Sequence, residues 1–218
     1  FYARAGIVYL NNGQTGSVTF IGTVSPAGGN LKEPVTESTK KAARCFYALS
    51  QNRGDSKRYP AIDTIDSYSK YLEYPEFIEY SKEKLDENWV ELVSEARNIL
   101  IRGKETEEQI NILGDDSVPI DYHITLWKAE LIDFVILQQD AFDKIDSSTS
   151  LERQEYMLKK IIGITRSEFK FESFEEVGIY FKRLINTFRQ LNYTIYKSEE
   201  FYSTEKEADA ILEERIIK

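Results

Sequence analysis

The chain has 218 residues, 41% of them hydrophobic and 13% aromatic, which supports a packed core and excludes wholesale disorder. Its length allows one large domain, or a modest one with part of another. With 37 acidic against 28 basic residues, the formal charge of -9 argues against a nucleic-acid surface or an anionic membrane as partner, since both need clustered Lys and Arg.

The first strand signal is Ile7-Val8-Tyr9-Leu10, closed by Asn11-Asn12-Gly13, and a second runs from Gly16 to Val24. Together they predict a hairpin with a loop longer than two residues. Ser25-Pro26-Ala27-Gly28-Gly29-Asn30-Leu31-Lys32-Glu33-Pro34-Val35-Thr36 follows, whose prolines and double glycine specify a tight, ordered loop leaving a strand. Residues 36–49 are ambiguous: Thr36 suits a helix cap, whereas Cys45-Phe46-Tyr47-Ala48-Leu49 suits a buried strand. A short helix and then a strand is the expectation. The single cysteine, Cys45, excludes an internal disulfide and a cysteine-based zinc site, and fits a reducing compartment such as the cytoplasm.

Lys57-Arg58-Tyr59-Pro60-Ala61-Ile62-Asp63-Thr64-Ile65-Asp66-Ser67 places an aromatic ring beside a proline, a rigid platform on which a planar base can stack. An ordinary, partly buried tyrosine is the plain alternative. One reading pairs Asp63 and Asp66 for acid-base or magnesium chemistry. The favoured reading is that they cap the next helix with Ser67. Lys57 and Arg58 read as an exposed basic pair solvating a loop.

Residues 1 to about 70 hold seven of the eleven glycines and three of the five prolines, and the chain after residue 71 is rich in Glu, Lys, Leu and Ile. That shift divides it into segments 1–72 and 73–218. Trp89, Leu92, Val93, Ala96 and Leu100 share one helical face. Gly103 and Gly114 interrupt the pattern, and Pro119 opens the next helix, which continues to Leu137. Ser150 caps a third. The second segment is therefore expected to be an α-helical bundle. His123 is the only histidine, without a partner for a metal pair or a catalytic triad, and reads as structural. Asn192-Tyr193-Thr194 matches a glycosylation acceptor by coincidence. No apolar run reaches the about 18 residues of a membrane span, and residues 1–6 lack the regions of a signal peptide and start as a fragment would.

No phosphate-binding loop is present: Gly103-Lys104, the only Gly-Lys pair, runs into Glu105-Thr106-Glu107-Glu108, which repels phosphate. Even so, the 25–36 string and Tyr59-Pro60-Ala61-Ile62-Asp63 resemble the catalytic A subunit of V-type and archaeal-type rotary ATPases, entered partway through its nucleotide-binding domain. Two positions depart from the pattern, Asn30 where the family usually has Asp and Tyr59 where it more often has Phe. The Ser-Pro-Ala-Gly-Gly string separates the chain from the F-type beta subunit and secretion-type ATPases. A nucleotide-free helical interaction module is the rival from another class.

The resemblance implies a fold of mixed but mainly α class, the last strands of a P-loop-type α/β nucleotide-binding domain followed by a carboxy-terminal helical bundle. It implies that Tyr59 stacks adenine from one side and that Ile136-Leu137-Gln138-Gln139-Asp140-Ala141-Phe142-Asp143 closes the other. There Phe142 would be the second ring, with Gln138 and Ala141 at the edge. A core Phe below a helix terminus is the alternative. Residues 110–121 would form the helix-turn-helix lever facing a central stalk, although a solvated acidic turn is the usual meaning of such a string. The full subunit would couple ATP hydrolysis or synthesis to proton or sodium transport, with ATP or ADP as substrate and magnesium bound by other residues. It would alternate with B subunits in a hexamer, peripheral to the inner face of the cell membrane. For the 218 residues themselves it implies no catalytic or metal-binding residue, no tightly bound cofactor and no ATPase activity.

Overall fold

The computed structural model describes residues 2–217; Phe1 and Lys218, at the outer ends of the two expected segments, lie outside the described residues. Strands β1 (Gly6–Tyr9) and β2 (Thr15–Val18) form an antiparallel hairpin with Gly6 opposite Val18 and Tyr9 opposite Thr15. Its connection is longer than a two-residue turn, closed by Leu10 N–H donating to Gln14 O at 2.8 Å, with Gly13 at φ 81°. The second strand is shorter than its apolar pattern predicts. The strand ends at Val18, opposite Gly6.

In the proline-glycine loop, Gly28 and Gly29 take φ 61° and 71°, which a side chain would strain. Helix α1 (Pro34–Ala42) begins two residues before the expected cap. Pro34 occupies the first helical position, where its fixed φ is favourable and its missing N–H costs nothing. Thr36 is therefore buried inside the first turn and donates to Glu33 Oε1 at 2.9 Å rather than capping. The expected strand after it is reduced to β3 (Cys45–Phe46), which pairs with β4 (Tyr68–Ser69); a single bridge joins Leu49 to Ile62. Between them sits α2 (Gln51–Asp55), capped by Ser50. Asp63 accepts from the N–H groups of Ile65 and Asp66 at 2.9 and 2.8 Å, and Ser67 Oγ accepts from Ala48 N. These residues close a turn and do not cap a helix, because the next one, α3, starts only at Pro75 and ends at Lys84.

The helical remainder comprises α4 (Trp89–Leu113), α5 (Ile120–Ile132), α6 (Leu151–Arg166), α7 (Phe174–Asn192) and α8 (Glu199–Glu213). Helix α7 organises the core, since Val177, Phe181, Leu184, Phe188 and Leu191 recur at helical spacing and are all fully buried. Serines at 150, 173 and 198 cap α6, α7 and α8 through the N–H three residues on. Phe169, Phe171, Tyr180 and Phe181 form an edge-and-face aromatic cluster under α7, with ring centroids 5.3–6.3 Å apart.

Gly103 does not interrupt α4 but lies within it, at the crossing with α5. A Cβ there would collide with Ala129 Cβ, so the glycine is what lets the two helices approach. Gly114 does end α4, at φ 87°. Helix α5 stops at Ile132 rather than Leu137 and passes into a π-helical turn, Asp133–Leu137, closed by Gln138 N–H to Asp133 O at 3.0 Å. The wider turn turns Asp133 toward two arginines while Val135 stays in the core.

Replacing Gly103 by Ala should cost about 1–3 kcal/mol in denaturant unfolding, because α4 and α5 must part to seat one methyl. Gly103→Ala combined with Ala129→Gly should lose less than the sum of the single changes; strict additivity would refute the contact as the cause.

Candidate functional site

Tyr59 sits in the loop between α2 and the turn at Asp63, where Lys57 has φ 57° and the Tyr59–Pro60 peptide is cis. The loop is stitched to the end of α5 by one backbone bond, Gln139 N–H to Tyr59 O at 2.9 Å. Beyond Gln139 the chain folds on itself. Asp140 N–H donates to Asp146 Oδ2 at 2.6 Å, Phe142 N–H to Asp140 Oδ1 at 2.9 Å, and Gln139 Nε2 to Asp146 O at 2.6 Å. Burial pushes the Asp146 carboxyl above the usual aspartate range, with the Asp140 N–H opposing.

These turns hold Phe142 wholly out of the core, 100% exposed, which overturns its reading as a core ring below a helix terminus. Tyr59 is 55% exposed, its hydroxyl 3.4 Å from Gly54 O. Both rings border one cleft of about 560 Å³, and Gln138 and Ala141 line it as well. Gln138 caps the π turn and has its side-chain Nε2 buried without an acceptor. The far wall comes from the last turn of α7 as Arg189, Asn192 and Tyr193. Asn192 is fixed there by donating to Val135 O at 2.9 Å.

Behind the cleft lies a cluster of charges. Arg58 makes a two-pronged contact with Glu130, 2.9 Å at each oxygen, and donates to Asp133 Oδ2 at 2.8 Å. Arg53 Nη1 lies 2.8 Å from Asp133 Oδ1, a contact of charge without hydrogen-bond alignment. Burial works against the Arg58 charge, but the two carboxylates more than offset it and hold its pKa above the ordinary arginine value. Arg58 is therefore no solvated loop residue: half-buried, it also lies 4.6 Å from the centroid of Phe134. Lys57, by contrast, is exposed at the cleft.

The tip joining α4 to α5 exposes Ile112 and Leu113 beside a short turn, Asp115–Ser117. His123 is structural, as expected: buried, it sits 3.2 Å from Asp115 O through Nε2 and stacks on Phe174 at 5.1 Å. Among the described residues no group of three or more His, Cys, Asp or Glu could hold a metal ion. No helix of the described chain is long and apolar enough to cross a membrane.

A model of the nucleotide-binding domain of the ATP synthase alpha/beta family matches residues 1–69, and one for the C-terminal domain of V and A type ATP synthase matches 78–173. The chain thus carries, in order, matches to two domains of V- and A-type ATP synthase alpha chains. Curated relatives include the V-type ATP synthase alpha chains of Treponema denticola, 42% identical, and Borrelia duttonii, 40% identical, each over 94% of this chain. The chain spans about a third, 33%, of the length of those relatives. Among solved structures, ATP synthase subunit NeqB of Nanoarcheaum equitans matches 77% of this chain and 38% of its own, with a TM-score of 0.53 and 22% identity. At that identity the likeness speaks for the fold alone. Within the family frame, Tyr59 falls in the nucleotide-binding match and Phe142 in the C-terminal one, so the cleft lies between the two. Arg189, Asn192 and Tyr193 lie beyond both matches, and sequence reading misses them; their 3- and 4-residue spacing at the end of an apolar-striped helix was the available signal.

Arg58→Ala should lower stability by about 3 kcal/mol, the low end for breaking a buried ion pair because Arg58 keeps some solvent contact. Thermal or urea unfolding reads this, and a loss within error of zero would refute the cluster's structural weight.

Proposed function

We propose that the cleft is the adenine side of a nucleotide pocket, with Tyr59 and Phe142 as facing rings and Gln138 and Ala141 at the edge. The observation that carries this reading is the pair of exposed aromatic rings bordering one cleft, each from a different matched domain. Two exposed rings at one cleft offer the aromatic lining on which a planar ligand stacks. In this reading residues 1–72 are the carboxy-terminal portion of the nucleotide-binding domain and 73–218 the helical domain. The full subunit takes ATP or ADP and couples hydrolysis or synthesis to proton or sodium transport, alternating with B subunits in a hexamer peripheral to the inner face of the cell membrane. Magnesium and the phosphates are held by other residues of the full subunit. The α4–α5 tip, with exposed Ile112 and Leu113 beside acidic residues, faces the central stalk.

In a full-length V-type alpha chain carrying these residues, Tyr59→Ala and Phe142→Ala should each weaken ATP binding about 5- to 100-fold, the loss expected of a stacked base. Tyr59→Phe should retain affinity. Unchanged affinity in both alanine variants would end the adenine reading. The purified 218-residue chain alone should turn over no ATP, because phosphoryl transfer rests on positioning and charge stabilisation that a phosphate-binding loop supplies. Turnover above background in a preparation free of other ATPases would contradict this.

A further inference from the structure

An arginine stands in the cleft beside two carboxylates, Asp140 and Asp146, without an ion pair to either. Arg189, half-buried near the end of α7, forms no hydrogen bond and no ion pair among the described residues. Its guanidinium lies over the face of Phe134, 5.7 Å from the centroid, and that ring also borders the cleft. Arg58 lies against the same ring at 4.6 Å, but the two guanidinium groups differ in their neighbours. Arg58 spends its donors on Glu130 and Asp133. Arg189 keeps all five free.

The other polar groups of the cleft narrow what Arg189 awaits. Asp140 and Asp146 each commit one carboxylate oxygen to the loop's own backbone N–H groups, Asn192 is tied to Val135 O, and Lys57 adds a second cation at the rim. The unpartnered buried group is Gln138 Nε2, placed as a second donor. An arginine has no acceptor capacity at all, so the ligand that completes this wall must bring an acceptor. A purine ring carries such acceptors as bare nitrogens in its plane, and a ring stacked on Tyr59 turns its edge toward a side wall.

We propose that Arg189 is a specificity-determining residue of the cleft, donating from α7 to a ring nitrogen of the stacked purine. This rests on the adenine reading above and adds a recognition group from a helix outside both family matches. Arg189 then makes a charge-assisted bond that exists only when an acceptor nitrogen faces it.

The test is a cycle between residue and ligand atom in the full-length alpha chain. Binding of ATP is compared with that of 1-deaza-, 3-deaza- and 7-deaza-ATP, in which one ring nitrogen is replaced by C–H. In the unaltered chain, one of the three should bind about tenfold or more weaker than ATP, the size of a lost hydrogen bond to a charged group. In Arg189→Met, which keeps the stem on Phe134, that difference should fall below about twofold while ATP itself weakens by a similar factor. Arg189→Gln, which retains neutral donors, should recover part of the discrimination and serves in place of the methionine variant if that does not fold. Equal deaza penalties with and without Arg189, or full ATP affinity in Arg189→Met, would overturn the assignment. Tyr59→Ala separates the two failures. If it weakens ATP while Arg189→Met does not, the assignment alone falls; if Tyr59→Ala, Phe142→Ala and Arg189→Met all leave affinity unchanged, the adenine reading falls and takes the assignment with it.

Discussion

Asp133 sets the terms for this molecule. It is a carboxylate only 4% exposed, in an otherwise apolar stretch from Leu131 to Leu137, and a buried charge without a partner would be strongly destabilising. Its partners come from far away in sequence. Arg58 is 75 residues upstream, and Arg53 lies on α2. Satisfying Asp133 therefore draws the Tyr59 loop against the end of α5, and the π turn gives the carboxylate its direction. Once the loop is there, Gln139 N–H reaches Tyr59 O, and the segment from Gln138 to Phe142 is held opposite Tyr59. The cleft follows from the ion cluster.

The other side of that cluster is a tightly packed helix pair. Where Gly103 meets Ala129 there is no room for a methyl group, so α4 and α5 cannot slide or tilt independently at that point. The far end is tied as well, by His123 between Asp115 O and the Phe174 ring. A displacement at Glu130 and Asp133 is thus applied to a stiff hairpin whose exposed tip is Ile112 and Leu113. Arg189, at the end of α7, joins the third helix of this assembly to the same wall through Phe134.

Much of this was legible in the sequence, and the parts that were not share a reason. The stripe of Trp89, Leu92, Val93, Ala96 and Leu100 gave α4 because helical periodicity is a local property. Likewise Gly114, Pro119 and Ser150 marked a helix end and two starts through their own backbone chemistry. Tyr59 stood out as a ring beside a proline, whereas Phe142 came only from the family resemblance. Nothing local distinguishes Arg58 from a solvated loop residue, since its meaning lies in Glu130 and Asp133. The visible clue was on their side: two acids within an apolar helical run call for buried bases. Gly103 misled for a similar reason, because a glycine that breaks a helix and one that admits a neighbour look alike until the neighbour is placed.

The hairpin at the start of the described chain is built differently from everything after it. All eight residues of β1 and β2 are exposed, and Ile7, Val8 and Tyr9 are each at least 60% so, leaving the ladder without a hydrophobic face to rest on. Two strands alone are marginal in water, whereas the helices share one continuous core. Both tryptophans, Trp89 and Trp127, pack against that core. Indole fluorescence thus follows the helices alone and is blind to the hairpin, whose opening is visible only to probes of its own, such as amide exchange at Val8 or the ring environment of Tyr9.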